Sequence, residues 1–314
     1  MTVYTRNSKK KRIVTISVWV VLIVSICVFV AVPPIVMNDM LNVRIDFRHM
    51  YKAEDYGITS YDARLITQDG LEIATYEVRV DDPKAIVMFL SGIHNPSVTA
   101  FFGHAKLLQD NGYASLLIEM RARGESEGQV IGAGYLETLE VQAAVDYLKS
   151  KPRYEDVPFV VFGLSMGGAT AINAIGQIPA LDALISLSAF SAWEDVFADN
   201  MLDMGAPRFY VWLQKPFVRL YTTFKYGFRS FSLRPKDQIK LLGQRPALIV
   251  HSTADHQVPL ANFTRLMENA PVHVESWVRE GDHHFIINDD FLHPESDPEY
   301  VQQVLAFLDQ HFGQ

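Results

Sequence analysis

The stretch Val161–Thr170 reads VFGLSMGGAT and sets Ser165 between Gly163 and Gly167, with Gly168 just beyond. Gly-x-Ser-x-Gly at a strand-to-helix junction is the pattern of a nucleophile elbow. Small flanking residues let the backbone turn sharply and present the hydroxyl at a sheet edge. The same glycines would also suit a tight crossing in which Gly167 and Gly168 only let a helix approach a strand. A serine hydroxyl is a weak nucleophile without a base to take its proton and a third group to orient that base, so other segments must decide.

Two later segments supply candidates. HSTADHQVP carries Asp255, and REGDHHF carries His283 and His284. Each follows an apolar run of strand type, and serine, then acid, then histidine is the chain order of folds that use this elbow. The Gly-x-x-His-Phe register, with Gly281 opening the loop and Phe285 behind the ring, selects His284 as the base and leaves His283 as its alternative. Asp255 reads also as the N-cap of a helix, with Asp282 as the other acid beside the histidines. Acyl transfer further needs donors for the developing oxyanion. The N–H of Met166 is one, and the N–H of Ile93 in the loop FLSGIHNP is the candidate for the second. His94 in that loop reads equally as a pocket-mouth residue or an exposed one. His104, His256, His273 and His293 read as surface or packing residues. Their spacing suggests no metal site, and the chemistry asks for no cofactor.

The elements that must position these residues alternate along the chain. DARLITQDGLEIATYEVRV is two alternating runs around Asp69-Gly70, a hairpin signal. AIVMFLSG, YASLLIEM, VPFVVFG, ALISLSAF, PALIVHS and VHVESWV read as strands. SVTAFFGHAKLLQDNG, YLETLEVQAAVDYLKSK, MGGATAINAIGQ, PLANFTRLMENA and EYVQQVLAFLDQHF read as the helices between and after them. Strand, helix, strand in repetition predicts an α/β fold, a mostly parallel sheet with helices on both faces. The alternation breaks at about 191–243, which predicts a helical cap over the carboxyl ends of the strands, where such sheets bind ligands.

The chain begins differently. A basic tail, residues 1–12, carries Arg6, Lys9, Lys10, Lys11 and Arg12, and Ile13–Val32 is then an uncharged run of 20 residues, which as a helix spans roughly 30 Å, the thickness of a bilayer core. This predicts a transmembrane helix over 13–36, a juxtamembrane connector over 37–60 and the folded domain over 61–314. A cleaved signal peptide is the alternative, although the apolar run is long for one and VAVPPIV is a poor cleavage site. The cations ahead of the span place the N-terminus in the cytoplasm and the domain outside it. The only cysteine, Cys27, lies inside the apolar run, which excludes a disulfide framework and a cysteine-based metal site. Setting the five leading cations aside takes the formal charge from −8 to −13 for the remainder, which argues against nucleic acid as a partner.

Together these features resemble the α/β-hydrolase superfamily, and within it bacterial serine hydrolases related to serine aminopeptidases and small membrane-linked esterases. The resemblance covers about Tyr61 to the C-terminus. EMRARGESEG is similar to the family's Asp-x-Arg-Gly-x-Gly-x-Ser segment, LIVHSTADHQVP to its strand-plus-acid segment, and SLRPKDQIKLLGQRPALIV to the lead into that strand. The usual His-Gly before the oxyanion loop is Ser91-Gly92 here, the first Asp of the middle segment is Glu119, and Ala122 replaces a glycine. The resemblance implies an α/β-hydrolase fold and a serine hydrolase of carboxylic esters, with a peptidase or amidase of the aminopeptidase type as the alternative. A non-catalytic anchored binding protein is the reading from another class. In the cap, Phe209, Tyr210, Trp212, Phe217, Tyr221, Phe224, Tyr226, Phe228 and Phe231 interleave with Arg208, Lys215, Arg219, Lys225 and Arg229. Such a segment suits a surface against anionic lipid or a passage for a lipid-like acyl substrate; it equally suits a lid whose aromatics pack on the sheet edge.

Overall fold

The computed structural model describes residues 3–288 and 290–313, so Met1 and Thr2 of the basic tail lie outside the described residues. The chain opens with α1 (Val3–Leu41). None of its apolar window is buried, and among the described residues it is the one helix long and apolar enough to cross a membrane. It runs on past residue 36, because Met37 and Leu41 are fully buried against the folded body and extend the helix into the expected connector. The rest of that connector is also docked. Arg44 donates to the carbonyls of Gly124 (2.6 Å) and Ser126 (2.7 Å), and Ile45 N–H donates to Ala122 O at 2.8 Å.

The elements that follow are β1 (Ser60–Ile66), β2 (Glu72–Val78), β3 (Ile86–Leu90), α2 (Phe102–Asp110), β4 (Ala114–Ile118), α3 (Thr138–Lys149), β5 (Phe159–Leu164), α4 (Met166–Gln177) and β6 (Ala183–Leu187). After β6 come α5 (Trp193–Asp203), α6 (Arg208–Tyr226) and the short α7 (Pro235–Gln238). The alternation then resumes with β7 (Ala247–Ser252), α8 (Ala261–Asn269), β8 (Glu275–Arg279) and α9 (Pro298–Phe312). The sheet order is β1-β2-β4-β3-β5-β6-β7-β8. β1 and β2 form the antiparallel hairpin, with Gly70 at φ 87° in its turn, β2 meets β4 antiparallel, and all later pairs are parallel.

Every residue of β3 to β7 is buried, because helices cover both faces of the sheet and successive side chains point to opposite sides. In β3, Ile86, Met88 and Leu90 join the core built with α3, α4 and α8, while Val87 and Phe89 join the one built with α2 and α9. This is the α/β-hydrolase architecture that the motif segments imply.

One buried acid ties the loop after β3 to the end of β4. Glu119 Oε2 accepts from Ser97 Oγ at 2.5 Å and Val98 N–H at 3.2 Å. Burial pushes its carboxyl up to about 7, against those hydrogen bonds and the Arg123 charge. A carboxyl whose pKa rises on folding contributes stability below its unfolded pKa and loses that contribution as pH climbs through the folded value. Glu119→Gln should therefore gain on the wild type between about pH 4.5 and 7, by about 3 kcal/mol at 1.36 kcal/mol per unit. Denaturant titration across that range reads the difference, and a flat difference would show that Glu119 is charged throughout.

Candidate active site

Ser165 sits between β5 and α4 with φ 56° and ψ −119°, a backbone conformation that residues other than glycine rarely adopt. The neighbouring glycines make the turn possible. A Cβ on Gly163 would stand 2.1 Å from Gly167 O, one on Gly167 2.4 Å from Leu90 O, and one on Gly168 2.9 Å from Leu187 O. Each position is therefore closed to a side chain. Gly167 and Gly168 do let the helix approach the strands, as the crossing reading holds, and the same approach forces the positive φ at Ser165. The Ser165 N–H donates to Leu187 O at 2.8 Å and locks the elbow to the end of β6.

Asp255 and His284 arrive from the ends of β7 and β8. His284 Nδ1 lies 2.7 Å from Asp255 Oδ2. Asp255 Oδ1 accepts the N–H groups of Gln257 (2.8 Å) and Val258 (2.9 Å), so the cap-like reading of Asp255 is also realised, by its other oxygen. Burial pushes the Asp255 carboxyl up, but the His284 hydrogen bond and charge, the Val258 N–H and His251 outweigh it and hold the group below the usual carboxylate range. As an ionised acceptor it fixes the proton on His284 Nδ1 and leaves Nε2 free to face outward. His283 goes elsewhere: its backbone N–H donates to Ser252 Oγ at 3.2 Å, and its imidazole lies over Gly281, where an added Cβ would stand 2.8 Å from Nε2. Asp282 pairs at 3.8 Å with exposed His256 rather than with the buried imidazole. The structure brings Asp255 and His284 into contact and sets Ser165 on the same strand-end edge, and Ser165 Oγ makes no hydrogen bond to a described residue. Buried His104 packs among Phe101, Phe291 and Tyr300, and burial lowers its pKa to about 3.

The loop after β3 passes beside the elbow, since a Cβ on Gly92 would lie 3.7 Å from the Ser165 Cβ. Neither the Ile93 nor the Met166 N–H finds an acceptor among the described residues; for Met166, at the first position of α4, that is the normal lot of a helix N-terminus. Arg123, fully buried, holds this loop by donating to Gly92 O at 2.5 Å and Ser91 Oγ at 3.3 Å. Its role was not legible in EMRARGESEG, because the contact spans 31 residues of chain. The departure at Ala122 carries a cost: the position takes φ 58°, free for glycine and strained by about 1–2 kcal/mol for alanine.

Over the elbow lies a cleft of about 520 Å³ that includes Ser165, Met166, Ile93 and His94, with Trp193 and Val196 of α5 on one side and Val32, Val36 and Met40 of α1 on the other. His94 is thus a lining residue, its Nε2 2.8 Å from Met40 O. The α1 wall could not be foreseen from a segment whose composition speaks only of membrane. Among the described residues, no carboxylate lines this cleft. Among the described residues, no group of three or more His, Cys, Asp or Glu side chains is placed to hold a metal ion.

The helices between β6 and β7 are held together by Asp195, which accepts from Ser191 Oγ (3.0 Å), Lys215 (2.8 Å) and Lys236 (2.5 Å). Burial raises the Asp195 carboxyl, but the two lysines outweigh it and hold it at about 2. Several cap cations are therefore committed within the protein: Lys215 to Asp195, Lys225 to Asn42 Oδ1, and Arg219 over the Phe231 ring at 3.4 Å. Phe209, Trp212, Phe224 and Phe228 instead stand 70–88% exposed, away from the sheet edge.

The architecture has relatives among solved structures. An esterase from Pyrococcus furiosus superposes with a TM-score of 0.67 at 20% identity, covering 86% of this chain and 98% of its own. An acylaminoacyl peptidase from Pyrococcus horikoshii gives 0.56 at 15% identity, over 78% of this chain and 41% of its own. Such identities speak for a shared fold. In sequence, the uncharacterized protein YqkD of Bacillus subtilis is 24% identical over 201 residues, a match that spans 63% of this chain and 64% of that relative's length. The serine aminopeptidase S33 model matches residues 81–242, just over half of the chain, and the protein accordingly belongs to that family of α/β-hydrolases.

Proposed function

We propose that the protein is a serine hydrolase that cleaves carboxylic esters through Ser165, His284 and Asp255. The observation that carries the reading is the buried Asp255–His284 contact of 2.7 Å at the strand-end edge that also bears the strained Ser165. Ser165 Oγ attacks the acyl carbon while His284 Nε2 takes its proton, and Asp255 orients the imidazole and stabilises its cation. The carbonyl oxygen becomes an oxyanion facing the N–H groups of Met166 and Ile93. The C–O bond to the alcohol then breaks, the alcohol leaves with the proton from His284, and water activated by the same imidazole releases the acid and restores Ser165.

The cleft favours esters over an exopeptidase substrate. A free amino terminus is an ammonium group that needs a carboxylate to hold it out of water, and the described residues of the lining offer none. The helix α1 serves, on this proposal, as a retained single-pass anchor with the N-terminus in the cytoplasm, so that catalysis occurs outside the cytoplasmic membrane at its surface.

A fluorophosphonate probe should label the wild type and leave Ser165→Ala unlabelled; equal labelling of the two would overturn the nucleophile assignment. Ester turnover separates the histidines. His284→Gln should lower kcat by at least about 10³-fold and Asp255→Asn by about 10⁴-fold, while His283→Gln stays within a few-fold of wild type. The reverse order for the two histidines would move the base to His283. On matched substrates, acyl esters should be cleaved and aminoacyl amides of the same size left nearly intact. Faster amide turnover would favour the peptidase alternative.

A further inference from the structure

We infer that α1 is part of the catalytic site as well as the anchor: Val32, Val36 and Met40 form the acyl wall of the Ser165 cleft, and the substrate is a fatty-acyl ester of a bilayer lipid whose chain reaches the nucleophile along this helix. The inference rests on the ester-hydrolase reading above and adds the substrate class and its route.

Three observations carry it. Val32, Val36 and Met40 are spaced by four, so they form one stripe on α1, and eight residues of helix put its ends about 12 Å apart. The stripe begins at Val32, where the twenty-residue apolar run Ile13–Val32 meets Pro33 and Pro34, and ends at Met40, whose carbonyl meets His94 in the loop beside Ser165. The cleft therefore opens beside the C-terminal end of the helix that can cross a membrane.

The helix is also fixed in that position. Pro33 has no N–H for the carbonyl of Phe29, and Gln214 of α6 donates there instead at 3.3 Å, while Tyr210 packs on the Phe29 ring at 4.6 Å. Met37 and Leu41 anchor the other side in the core.

Finally, α6 touches α1 at Phe29, within the apolar run, so α6 lies at the level of the bilayer surface. There it leaves Phe209, Trp212 and Phe224 exposed, side chains suited to the headgroup boundary. A lipid chain lying against α1 would thus pass between apolar walls from bilayer to cleft. Its acyl group would be transferred to Ser165 Oγ with release of the alcohol portion, and water would then free the fatty acid.

The full chain, reconstituted in phosphatidylcholine vesicles, can be labelled with fluorophosphonates bearing an ethyl or a dodecyl chain. Only folded molecules label, so the ratio of dodecyl to ethyl labelling rates is independent of yield. Val36 is 52% exposed in the open cleft, so Val36→Trp and Val36→Asp leave the docked side of the helix alone. Val24→Trp places the same bulk elsewhere on α1. The wild type should label faster with the dodecyl probe. The ratio should fall 10-fold or more in both Val36 variants and stay within 2-fold in Val24→Trp. A wild-type preference for the ethyl probe, an unchanged ratio at Val36, or an equal fall in Val24→Trp would overturn the proposal alone. Failure of the wild type to label with either probe would overturn the nucleophile reading, and this inference with it.

Discussion

The tight approach of α4 to the ends of β3, β5 and β6 is the constraint on which the site depends. Three glycines within six residues remove every side chain from that contact, and the residue left between them, Ser165, is forced to φ 56°. Strain of about 1–3 kcal/mol in such a conformation persists only where surrounding structure over-determines it. Here the hydrogen bond to Leu187 O, the close-packed glycines and the loop held by Arg123 do so. The hydroxyl is thereby presented at the sheet edge before any substrate arrives.

Much of this was legible in the chain because it rests on short-range patterns. The eight strands follow from apolar runs and turns, the elbow from its glycines, and Asp255 and His284 from their places just beyond strands. The hidden part is long-range. Nothing near Arg123 says that its guanidinium will hold Gly92 and Ser91, and nothing in Ile13–Val32 says that the helix will continue to Leu41 and wall the cleft. The fate of the cap cations was equally hidden, since Lys215 looks free until Asp195, 20 residues away, is seen beside it. Composition describes a segment, and its partners are settled only by the fold.

Ala122 and Glu119 show how departures from a familiar pattern are absorbed. Alanine at φ 58° accepts local strain, and glutamate at the end of β4 accepts burial, because both sit in a loop cross-linked by Arg44, Ser126 and Arg123.

The proline pair in α1 has a mechanical meaning. Pro33 and Pro34 remove two helical hydrogen bonds, one of which Gln214 of α6 replaces at Phe29 O, while Met37 and Leu41 just beyond are clamped in the core. In a thinner or thicker bilayer the apolar run would have to change its tilt. That rotation would be taken up in the apolar run below Phe29, which Gln214 and Tyr210 of α6 hold, and the strand-end edge that bears Ser165 would keep its orientation while the shaft below it leans.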